Sequence, residues 1–196
     1  MNRYPEEKLY VRHLEEMLRE VKTDVYRREV YFVLDTCGII ALYHHPSRRY
    51  TPLQEVARKE FAYIICGGVL QELHTQNRQK RRMDDGRILV PDDLIGKLYT
   101  TWKGGLIMFE QMPPEENRVR LIQDAFNSEP DNTKHNSRLA TADIEQLSLA
   151  MDLIDTSVFM VTKDTDIALA TKGLSKKGYN NITPIRPEYY LRVKKK

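Results

Sequence analysis

The segment Val30–Leu34 reads VYFVL, an unbroken apolar run rich in β-branched and aromatic residues. It is too short for a typical helix, and its lack of polar alternation means that both faces of a strand here must be covered, as happens in parallel sheets. FAYIIC at Phe61–Cys66 and SVFMVT at Ser157–Thr162 have the same character, and LIMFEQM at Leu106–Met112 and NITPI at Asn181–Ile185 are further strand candidates. Helical spacing fills the intervals: GIIALYHH, PLQEVARKE, VLQELHTQNRQKRR, DDLIGKLYTTW, ENRVRLIQDAF, ATADIEQLSLAMDLI and DIALATKGL. Strands that are apolar throughout, alternating with helices, predict a three-layer α/β/α sandwich around a mainly parallel, Rossmann-like sheet. Chemistry in such folds gathers at the carboxyl ends of the strands.

With 196 residues the chain suits one sizeable domain, and a hydrophobic fraction of 41% excludes a disordered polymer. Leu9, Leu14, Leu18 and Val21 stand near helical spacing among charges, so residues 1–28 are expected to form an amphipathic helical extension before a domain spanning 29–196. A basic helical insertion is expected around 74–130. The polar, turn-rich stretch Asn127–Ser137 reads as a loop. No apolar run approaches the roughly 20 residues of a membrane span, and MNRYPEEKLY carries acidic residues where a signal peptide is apolar. A cytoplasmic protein without a membrane partner is therefore expected. Cys37 and Cys66 form neither a zinc spacing nor a disulfide framework and are expected to be small core residues.

Acidic residues fall where the sheet rule places chemistry. Asp35 closes the first strand, Glu72 lies in the helix after the second, Asp143 opens the helix before SVFMVT, and Asp164 and Asp166 follow that strand directly. Each has a local explanation as well. Asp35 and either Asp164 or Asp166 are good helix caps, Asp143 has Gln146 three residues on as in a capping box, and an exposed helical Glu is commonplace. If the carboxylates converge, however, they need a cation: two unit charges about 4 Å apart repel by about 4 kcal/mol at an effective dielectric near 20. Oxygen ligands without neighbouring His or Cys suit one or two Mg²⁺ or Mn²⁺ ions, which keep waters and meet phosphates. Hydrolysis of a nucleic-acid backbone is the chemistry that this implies.

The order strand-Asp, helix-Glu, helix-opening Asp, then strand-T-x-D-x-D resembles the PIN-domain ribonucleases. Leu34-Asp35-Thr36 matches the family's first-strand motif, Glu72 in VLQELH its second acidic position, Asp143 in ADIEQLSLA its third, and Thr162-Lys163-Asp164-Thr165-Asp166 its last. The match runs roughly from Val30 to Leu191. The resemblance implies that Asp35, Glu72, Asp143 and Asp164 are catalytic metal ligands and that Asp166 is an auxiliary ligand. Thr36 and Thr162 would be hydroxyls orienting those carboxylates or water. It implies an endoribonuclease leaving a 3′-hydroxyl and a 5′-phosphate on tRNA, rRNA or mRNA, of a toxin or an RNA-processing kind. A protein antitoxin or regulator and a homodimer or larger homo-oligomer would be partners. The N-terminal helix and the long middle segment exceed compact toxin-type members, and residues 84–130 do not align with the family. The alternative is a catalytically silent RNA-binding or assembly protein of the same fold.

Arg78, Lys80, Arg81 and Arg82 extend the Glu72 helix in this reading and are candidates to guide RNA to the acids. His44, His45, Arg48 and Arg49 follow the first helix as candidate substrate contacts, while Trp102, Tyr189 and Tyr190 are expected in packing. A haloacid-dehalogenase reading is disfavoured because Cys37 stands where the second Asp of Asp-x-Asp belongs.

Overall fold

In the computed structural model, residues 30–44, 62–103, 106–109, 113–132 and 138–188 are described. The expected N-terminal helix, PLQEVARKE, His45, Arg48, Arg49, Tyr189, Tyr190 and the Trp102 side chain lie outside what is described.

Five parallel strands form one sheet: β1 (Val30–Leu34), β2 (Ala62–Cys66), β3 (Leu106–Phe109), β4 (Ser157–Val161) and β5 (Ile182–Ile185), in the order β3-β2-β1-β4-β5. The helices are α1 (Thr36–Tyr43), α2 (Gly67–Gln79), α3 (Asp92–Lys103), α4 (Glu116–Asn127), α5 (Thr141–Asp152) and α6 (Thr165–Ser175). None of them is long and apolar enough to cross a membrane.

The pleat explains why the strand sequences carry no polar alternation. Phe32 and Leu34 of β1, Ile65 of β2 and Phe159 and Val161 of β4 point into one core with Ile39 and Leu42 of α1, Val69 and Leu73 of α2 and Leu94 and Leu98 of α3. Val33, Ile64 and Met160, their neighbours in the chain, point into the opposite core with Ile122 and Phe126 of α4, Leu147 and Met151 of α5, and Ile167 and Leu174 of α6. Each large apolar side chain buried this way contributes roughly 1.5–3 kcal/mol. At the centre, Phe32 stacks on Phe159 across the β1–β4 pair with ring centroids 5.6 Å apart.

The stretch 74–130, expected as an insertion, carries α3, β3 and α4, and β3 pairs with β2 as an edge of the sheet. The expectation that Arg78, Lys80, Arg81 and Arg82 share one helix is corrected. α2 ends at Gln79, and Lys80 adopts φ 47°, a left-handed conformation that turns the chain away. Arg81–Val90 then folds back as a small hairpin in which Arg82 bridges Ile88 antiparallel.

The strand order reverses direction at the β1–β4 boundary, the switch point where doubly wound sheets open a crevice. α1 starts tightly against it: a Cβ added at Gly38 would stand 2.0 Å from the Val161 carbonyl oxygen. Because that obstacle is backbone, Gly38→Ala is expected to cost about 2 kcal/mol or more. Urea unfolding would show this as a lower midpoint at unchanged m-value.

Candidate active site at the β1–β4 switch point

A cavity of about 750 Å³ opens at this switch point, and Asp35, Glu72, Asp143 and Asp164 all line it. They arrive on separate elements: Asp35 between β1 and α1, Glu72 in the second turn of α2, Asp143 in the first turn of α5, and Asp164 between β4 and α6. Asp166 sits in the first turn of α6 and is not among the lining residues.

Asp35 is only 5% exposed, and donors fix both of its oxygens. Oδ1 accepts from the Thr36 amide at 2.6 Å and from Gln146 Nε2 at 3.4 Å. Oδ2 accepts from Thr162 Oγ1 at 2.7 Å and from the Cys37 thiol at 2.8 Å. Glu72 is oriented by Thr36, whose hydroxyl donates to Oε2 at 2.6 Å. Thr162 ties the two central loops together, because its hydroxyl also accepts from the Asp164 amide at 2.8 Å. Both threonines picked out in the sequence thus hold carboxylates in place.

The capping explanations are compatible with this arrangement. Asp35 is the N-cap of α1, and Asp164 is the N-cap of α6, accepting from the Asp166 amide at 2.7 Å. Asp143 is different from its sequence reading. It stands at the third helical position and accepts from the Ala140 amide at 3.2 Å, so it does not precede Gln146 as an N-cap. Gln146 is spent on Asp35 instead.

The charges feel one another most at Asp143. Burial, and then the negative charges of Asp35, Asp164 and Glu72, push its carboxyl up to about 8 from an ordinary 3.8. Cys37, half-buried and so not the core residue expected, is pushed up to about 12 by burial and by Asp35. It therefore remains a thiol and a donor, while its sulfur accepts from the Lys163 amide at 3.0 Å. Cys66 is fully buried, as expected.

Among the described residues no three His, Cys, Asp or Glu side chains already surround a common point as a closed ligand set. The four carboxylates ring the cavity more loosely. Such a donor set fits Mg²⁺ or Mn²⁺, since Mg²⁺ characteristically keeps several waters and takes only a few carboxylates. The displaced Asp143 carboxyl fits too, because a divalent cation would favour its ionised form beside Asp35, Asp164 and Glu72.

Cations reach this cavity from an unexpected direction. Arg78, Lys80, Arg81 and Arg82 do not line it; Lys80 pairs with Asp92 at 2.7 Å, and Arg82 Nη1 donates to the Gly86 carbonyl at 2.8 Å. Arg87 and Lys163 line it instead, together with His44, which was a candidate substrate contact. Lys163 pairs with Glu188 at 2.5 Å, and His44 Nε2 donates to the Leu89 carbonyl at 2.9 Å. The dipeptide Asp85-Gly86, a strong turn signal, was the local mark of the hairpin that carries Arg87. Cys37 and Gln146 carried no such mark. Neither a protein-family model nor a curated protein matches the chain.

Proposed function

We propose that this protein is a divalent-metal-dependent endoribonuclease of PIN-like design, hydrolysing RNA phosphodiesters to leave a 3′-hydroxyl and a 5′-phosphate. One observation carries this reading: four carboxylates from four separate elements line one cavity at the switch point of a parallel sheet, close enough that three of them raise the Asp143 carboxyl.

Asp35, Glu72, Asp143 and Asp164 would hold one or two Mg²⁺ or Mn²⁺ ions, with Asp166 at the periphery. A cation held there supplies Lewis-acid activation of water and neutralises charge developing on the phosphodiester. The chain's own contribution is rigid placement. Thr162, Cys37, Gln146 and the Thr36 amide donate to the two Asp35 oxygens, and the Thr36 hydroxyl holds Glu72. Such preorganisation means that carboxylate positions need not be reorganised during the reaction. Asp143 would have to be ionised to hold a cation, so binding is expected to release protons and to strengthen as pH rises toward 8.

Purified protein incubated with RNA and Mn²⁺ is expected to cleave it, with EDTA abolishing the activity and fresh Mn²⁺ restoring it. RNA retained without turnover under those conditions would replace this reading with that of a silent RNA-binding protein.

A further inference from the structure

We infer that the Arg81–Val90 hairpin is the grip for the substrate strand, with Arg87 taking a phosphate next to the scissile one and Met83 and Leu89 packing a base. This rests on the ribonuclease reading for the identity of the strand, but Met83, Arg87 and Leu89 were not among the residues expected to touch RNA.

The hairpin is built as a firm wall. Met83 N donates to the Arg87 carbonyl at 2.8 Å, Gly86 N to the Met83 carbonyl at 2.9 Å and Leu89 N to the Arg81 carbonyl at 2.8 Å. Gly86 turns the chain at φ 82°, where a side chain would be strained. Two helices anchor the base of the hairpin. His44 at the end of α1 bonds the Leu89 carbonyl, and Asn77 of α2 donates to the Val90 carbonyl at 2.9 Å and to Asp92 at 2.8 Å.

This wall places opposite chemistry against the acids. Met83, Arg87 and Leu89 line the same cavity as Asp35 and Asp143, with Ile40 of α1 beside them. The carboxylate floor repels a polyanion wherever cations do not cover it, so a phosphate needs a fixed positive group at the rim. Asp85 Oδ2 accepts from Arg87 Nε at 2.8 Å and stands 2.6 Å from Nη2, and the arginine side chain remains 55% exposed. The outer Nη1–Nη2 edge of a planar guanidinium fixed this way suits phosphate contact. The apolar side chains beside it suit the face of a base and have no use for a phosphate. The cavity's volume of about 750 Å³ falls in the range that a ligand of nucleotide character fills.

The test is fluorescence anisotropy with a short, unstructured, labelled RNA and with an abasic ribose-phosphate strand of equal length, both in Ca²⁺. Arg87→Ala is expected to weaken both by roughly fivefold to tenfold and to make the slope of log affinity against log salt shallower by about 0.7. Met83→Ala is expected to weaken only the base-bearing strand. Arg120→Ala, which removes an exposed cation on α4 away from the cavity, is the charge control. Arg87→Ala binding within twofold of wild type, or no weaker than Arg120→Ala, overturns the inference, as does a wild-type protein that binds neither strand. Mn²⁺-dependent cleavage without Arg87-dependent binding would leave the nuclease reading standing and remove the hairpin from it. Arg87-dependent binding without cleavage would do the reverse.

Discussion

The Asp35→Asn protein is expected to cleave RNA about a thousandfold more slowly than wild type in Mn²⁺, and to stay folded. Loss of one formal charge at the centre of the proposed cation site removes stabilisation from the step where charge develops, and a thousandfold is about 4 kcal/mol. The fold should tolerate the change for a local reason. An asparagine oxygen in the place of Oδ1 still accepts from the Thr36 amide and from Gln146. Its amide nitrogen would face Thr162 Oγ1 and Cys37, and a hydroxyl can rotate to accept where it previously donated. Single-turnover cleavage beside a thermal melt checks both halves. A substantially retained rate in a well-folded variant would remove Asp35 from the centre of the mechanism. A collapse of the melt would instead mean that its role in capping α1 dominates.

Helix capping and site building are not rival explanations in this protein, and that bears on what the sequence could show. Asp35 and Asp164 were legible because each stands in the short turn between a strand that is apolar on both faces and the helix that follows it, Asp35 directly after Leu34 and Asp164 three residues after Val161. Cap and ligand occupy the same position for the same geometrical reason. The order of the acids then picked out Glu72 and Asp143, which a helical period alone would have left as surface residues. Gln146 was misread because its partner lies 111 residues away; a local pattern, three residues from Asp143, offered a plausible but unused alternative.

The basic stretch after Glu72 failed for a related reason. Apart from Thr75 and Asn77, TQNRQKRR is made of residues with good helix propensity, and it holds no Gly or Pro to announce a stop. The stop is imposed from outside, by Asn77 reaching Val90 and by Lys80 reaching Asp92. These contacts exist only once α3 is in place. The Asp85-Gly86 turn was visible, but a turn alone does not say which cavity its flanking arginine will face.

The metal-free protein is expected to lose stability as pH rises from about 4 to about 8, and Mn²⁺ is expected to cancel that loss. The sign follows from Asp143, whose carboxyl lies at about 8 in the folded chain against 3.8 ordinarily. Below about pH 4 it is protonated folded or unfolded and contributes no slope. Between the two values the folded state keeps a proton that the unfolded chain has released, so unfolding is favoured as protons become scarce. Above about 8 both forms are ionised and the full penalty is present. One group titrating this way tilts stability by at most about 1.4 kcal/mol per pH unit. With the Asp143 carboxyl nearly neutral over most of this range, the total between pH 5 and pH 8 is expected to be on the order of 3 kcal/mol. For a chain of this size that lowers the melting temperature by roughly 6–12 °C. A divalent cation binds the ionised form and should stabilise the protein most where the metal-free protein is weakest. Asp143→Asn removes the titrating group and relieves the repulsion, so its melts in EDTA should be nearly flat with pH and higher than wild type at pH 8. Differential scanning calorimetry across this range, with EDTA and with Mn²⁺, measures each slope. Wild-type melts that stay level or climb with pH in EDTA, or an Asp143→Asn protein with the wild-type slope, would show that these carboxylates do not share one field.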